Sequence, residues 1–67
     1  MVSLQGGGNV KRVLVHYRDA TFSDIHDLIY SFGGYFDADR RCAVFPFDEE
    51  LIEELENRGI RFKVEVS

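Results

Sequence analysis

The residues of this chain whose types invite chemistry are few: one cysteine, two histidines and a run of three glycines. His16 and Cys42 would make a nucleophilic pair if two strands brought them side by side, because a thiol attacks as thiolate and an adjacent imidazole takes its proton. The same two groups are half of a tetrahedral zinc site. Neither set is completed. No third residue is placed to orient the imidazole, no oxyanion donors form a pattern, and a sheet surface excludes water poorly. Gly6-Gly7-Gly8 has the composition of a phosphate cradle, but such loops follow a strand and open a helix. Here the glycines follow Met1–Gln5, which carries no apolar periodicity. The expectation is a protein that is not an enzyme, with no cofactor and no metal.

Size sharpens this. Sixty-seven residues make at most one domain, and a core that small yields only a few kcal/mol of net stability. One cysteine allows no internal disulfide. A composition 45% hydrophobic and 13% aromatic suits a packed core rather than a disordered chain. No apolar run is long enough to span a membrane, and Met1–Leu4 lacks the basic start of a signal peptide. A lone cysteine points to a reducing, cytoplasmic setting. Residues 1–8 read as a flexible leader and 9–67 as the single domain.

The elements follow from periodicity. Val10–Arg18 alternates as a strand, with Val13, Val15 and Tyr17 on one face and Arg12, Leu14, His16 and Arg18 on the other. Thr21–Phe32 reads as a helix. Thr21-Phe22-Ser23-Asp24 fits its start, Phe22, Ile25, Leu28, Ile29 and Phe32 its apolar stripe, and Gly33 its stop. Tyr35–Ala38 and Arg41–Phe47 are two strands of an antiparallel hairpin, with Asp39-Arg40 in the turn. In the second, Ala43, Phe45 and Phe47 share a face opposite Cys42, Val44 and Pro46. Asp48–Arg58 is a helix with Asp48 as N-cap and Leu51, Ile52 and Leu55 buried. Gly59 ends it, and Ile60–Val66 alternates as the last strand.

The order β-α-β-β-α-β resembles the split βαβ arrangement. That resemblance implies an α+β, ferredoxin-like two-layer sandwich: a four-stranded antiparallel sheet in order 4-1-3-2 with two helices on one face. RNA-recognition motifs share the element order, but their third strand carries outward aromatics for base stacking. Arg40-Arg41-Cys42-Ala43-Val44-Phe45-Pro46-Phe47 has Cys42 and Val44 at those positions, and Leu14 stands on the first strand where another aromatic is expected. Acylphosphatases of this shape need a glycine-rich anion loop after the first strand and an asparagine on the third. Arg18-Asp19-Ala20-Thr21, Asn9 and Asn57 supply neither. Metal chaperones of this shape need Cys-x-x-Cys, which one cysteine excludes.

Charge is the remaining signal. The helices hold Asp24, Asp27, Asp48, Glu49, Glu50, Glu53, Glu54 and Glu56 against Arg58 alone, while strands and loops hold seven basic residues against Asp19, Asp37, Asp39 and Glu65. The chain totals −4, yet its sheet layer is basic. An uncharged centre within a charged rim is the anatomy of a binding face. The expected function is therefore a small protein-interaction or regulatory module, meeting a protein partner or a second copy as a homodimer. Its contacts are Arg12, Leu14, His16 and Val44 on the open face, Arg61 and Lys63 at the rim, and Tyr35 on the edge strand. Two alternatives remain. One is nucleic-acid binding through the basic rim. The other is docking of the acidic helix face (Glu49, Glu50, Glu53, Glu54 and Glu56) on a basic protein. No membrane partner is expected.

Overall fold

Alternation of small β-branched residues with polar ones places a strand at the centre of the fold. In the computed structural model, which describes residues 10–66, β1 spans Lys11–His16 and buries Val13 and Val15 completely. It stops short of Arg18. The His16 side chain accepts the Arg18 amide, and residues 17–19 close a single 3₁₀ turn. The expected leader falls outside the described residues.

Helix α1 spans Phe22–Phe32. Thr21 caps it, its Oγ1 accepting the Asp24 amide at 3.1 Å, and Gly33 ends it at φ +77°. The hairpin is shorter than its apolar pattern suggests. β2 is Tyr35–Asp37 and β3 is Cys42–Pro46. Asp37 Oδ1 accepts the amides of Asp39 and Arg40. That aspartate turn takes the chain out of the sheet, and Arg41 at φ 57° completes it. Helix α2, Glu49–Asn57, is capped by Asp48. The Ile60 amide bonds back to the Leu55 carbonyl, so β4 begins only at Lys63 and runs to Val66.

Four antiparallel strands form one open sheet in the order β2-β3-β1-β4, which is 4-1-3-2 read from the other edge. Val13, Val15, Ala43 and Phe45 line one face of the two central strands. Ile25 and Leu28 of α1, and Leu51 and Leu55 of α2, close over them with Ile60. Among the described residues, no helix is long and apolar enough to cross a membrane.

Four expected core positions are not in it. Phe22 opens α1 at the rim and is 70% exposed, packing on Tyr17 and Phe36 instead. Phe47 lies past the end of β3, with Lys11 Nζ 5.1 Å from its ring centre. Val64 and Val66, on the outermost strand, remain exposed on the helix side.

Arg58 joins the two helices. It donates to Glu54 at 2.7 Å within its own turn, and to Asp24 and Asp27 of α1 at 3.1 and 3.4 Å. Replacing Arg58 by Ala leaves three carboxylates facing one another. Stability should fall by roughly 1 kcal/mol, a loss that 1 M salt reduces. Gly34 touches the core differently. A Cβ there would lie 2.7 Å from both the Phe45 ring and the Val44 carbonyl, so Gly34→Ala should cost about 2 kcal/mol. Gly33→Ala, with open space but positive φ, should cost nearer 1 kcal/mol. Urea unfolding of the three variants checks both orders.

Candidate functional site

The sheet has one face under the helices and one without them. Register aligns three rows on the uncovered face. Asp37, Cys42 and His16 stand together, then Tyr35, Val44, Leu14 and Lys63, then Pro46, Arg12 and Glu65. His16 and Cys42 are thus direct cross-strand neighbours.

A sheet face without a covering layer normally leaves its side chains half in water. Cys42 and Val44 are instead 5% and 3% exposed, which corrects the expectation of an accessible apolar centre. The cover comes from Arg40 in the β2–β3 turn. Its Nε lies 3.7 Å from Asp37 Oδ2 on β2, and its Nη1 donates to both carboxylate oxygens of Glu65 on β4, at 3.1 and 2.9 Å. β3 and β1 lie between those edges, so the arginine stem crosses the face and shields what is under it. Arg12 Nη1, 3.9 Å from Glu65 Oε1, extends the chain of charges. The hydrogen bond to Glu65 and its charge hold the Arg40 guanidinium above its ordinary pKa.

Beside this strap the face opens into a cavity of about 290 Å³. Leu14, Cys42 and Phe62 give it an apolar lining. Arg40, Arg61 and Lys63 give it cations, and His16 and Asp19 complete it. Arg61 and Lys63 form no ion pair among the described residues and Asp19 is the one acid in the lining, so the cavity carries a surplus of positive charge.

The Cys42–His16 pair is not armed. Burial, reinforced by the charge of Asp37, pushes the Cys42 thiol above its ordinary pKa, whereas a reactive thiolate needs it lowered. The His16 Nδ1 is occupied as acceptor of the Arg18 amide at 3.2 Å. No cluster of three or more metal-ligating side chains occurs among the described residues.

Of the residues singled out from sequence, Leu14, His16, Arg61 and Lys63 meet in the cavity. Val44 lies buried beneath the face, Arg12 turns to Glu65, and Tyr35 lines a separate polar hollow with Arg12, Asp37 and Glu65. On α2, Glu49, Glu50, Glu53 and Glu56 are exposed, but Glu54 is held by Arg58. The sequence reading missed Arg40, which it assigned only to a turn, and Phe62, which it gave only as part of the alternating last strand. The signal for Arg40 was two acids, Asp37 and Glu65, on opposite edge strands with one long cation between them. Comparison with known protein families, with curated proteins and with solved structures finds no match.

Cys42 reports on the strap. In the native protein at pH 8 it should react with a thiol reagent at least about tenfold more slowly than in the urea-unfolded chain. Arg40→Ala should restore most of that rate while circular dichroism stays native. An unchanged rate in Arg40→Ala would show that another side chain provides the cover.

Proposed function

We propose that this chain is a non-enzymatic interaction module of ferredoxin-like type, whose uncovered sheet face receives an acidic, apolar-containing segment of a partner protein. Element order and the central placement of β1 and β3 support the fold class. The functional reading is carried by one observation: Arg61 and Lys63, without carboxylate partners among the described residues, flank an apolar lining of Leu14, Cys42 and Phe62. A carboxylate entering there exchanges water for two cations, and a neighbouring apolar side chain covers the lining. Specificity then comes from charge placement and affinity from the buried apolar contact.

The geometry favours a peptide over a polynucleotide. Base recognition on such a face needs stacking rings, and the uncovered rows of β1 and β3 hold one ring, His16, among Arg12, Leu14, Cys42, Val44 and Pro46. The net charge of −4 also repels a long polyanion, while it tolerates a short segment docking in a locally basic cavity.

The test is a two-dimensional NMR titration of the ¹⁵N-labelled protein with a synthetic peptide alternating Glu with Leu and Phe. Amides of Leu14, His16, Arg61 and Lys63 should shift. Arg61→Glu/Lys63→Glu should weaken binding at least about tenfold, equivalent to about 1.4 kcal/mol. A uridine oligonucleotide is the comparison. If it binds more tightly than the peptide, with affinity falling steeply in salt, the face belongs to nucleic acid and this reading fails. Peptide shifts confined to other surfaces would also end it.

A further inference from the structure

A different surface carries a second, independent inference. Phe22, His26 and Tyr30 follow one another at four-residue spacing along α1, one row on the helix surface. With Phe36 of β2 they line an open groove of about 580 Å³. Phe22 is 70% exposed, Tyr30 89% and Phe36 40%. Phe22 and Phe36 meet edge to face with centroids 5.6 Å apart, and Tyr17 backs both. The groove runs beside β2, an edge strand that among the described residues pairs only with β3. Edge strands are ordinarily blunted by lysine, proline or a bulge. β2 reads Tyr-Phe-Asp, and its one charge, Asp37, is turned to the hairpin amides and to Arg40. Only its shortness protects it.

We propose that β2 pairs antiparallel with β2 of a second copy, about a two-fold axis at Phe36, to give a continuous eight-stranded sheet. A two-fold that keeps the helices of both copies on one side of the sheet must centre on a residue, and the three choices differ. Centring on Asp37 sets Asp37 against itself, a like-charge pair that destabilises a sheet. Centring on Tyr35 opposes Phe36 to Gly34, wasting the aromatic. Centring on Phe36 sets Phe36 against Phe36 and Tyr35 against Asp37 of the other copy, and it pairs all three residues of the strand. The aromatic clusters of the two copies then merge on the helix side.

Charge agrees with this register. It brings the hairpin turn of one copy next to the segment that leads from the C-terminal end of α1 into β2 of the other. That helix has no basic residue in its last turn, and its end carries partial negative charge. Arg41 is exposed in that turn and forms no ion pair among the described residues, a cation whose sign suits a helix C-terminus. Three residues give few sheet hydrogen bonds, so most of the association rests on ring burial.

Sedimentation equilibrium over a concentration series tests it, in salt from about 0.05 to 0.5 M. Wild type should dimerise across that range. Phe36→Lys and Phe22→Lys should each raise the dissociation constant at least about tenfold, whereas Leu14→Glu on the uncovered face should leave it unchanged. Phe22 is exposed on a helix, so its variant decides the matter if Phe36→Lys does not fold. A monomer at every concentration overturns the proposal. So does a dimer indifferent to Phe22→Lys, or one that Leu14→Glu splits. A monomer, or a dimer indifferent to Phe22→Lys, leaves the peptide titration untouched, whereas a dimer split by Leu14→Glu would place self-association on the uncovered face itself.

Discussion

The pairing of β1 with β3 is the contact on which everything else rests. It aligns Val13 with Phe45 and Val15 with Ala43, forming the apolar floor that both helices cover. The same register fixes the other face. It places Leu14 against Val44 and His16 against Cys42, and a slip of one residue would exchange the two faces. Core and candidate site are thus two readings of one alignment. The site's residues stand together because they share one register with the core residues between them.

Two arginines then distribute charge over this frame in opposite ways. Arg58 neutralises acids where the helices meet and relieves a layer that would otherwise repel itself. Arg40 lies across the sheet and turns an open apolar centre into a shielded one, leaving Arg61 and Lys63 beside it without an ion-pair partner among the described residues. A chain of 67 residues with a single cysteine has little apolar area to bury. Covering Cys42 and Val44 with an arginine stem recovers part of it without adding a third layer.

Much of this was legible in the sequence. Alternation over Val13 to His16, the Thr21 cap, the Gly33 stop and the Asp48 cap are local signals, and local physics decides them. The boundaries were less legible because turns outcompete strands at their ends. The His16 side chain draws the Arg18 amide out of β1, and the Asp37 carboxylate does the same to the amides after β2. Side chains at the rim were misread for another reason. Periodicity tells which way Phe22, Phe47 or Val66 faces, not whether an element reaches far enough to cover it. Arg40 was hidden because its partner is 25 residues away, a contact that exists only after the whole sheet has formed.

That long-range contact bears on how the sheet opens. β2 and β4 are its two edges, separated by the central pair, and edges of a small sheet ordinarily fray independently. Here one guanidinium holds acids on both, Asp37 at one edge and Glu65 at the other. When β4 lifts away, Arg40 loses its firmest anchor, and the hairpin that carries it is loosened together with the cover over Cys42. The two edges are thereby coupled. Loosening either margin therefore removes a contact from the other, through one side chain that spans the centre.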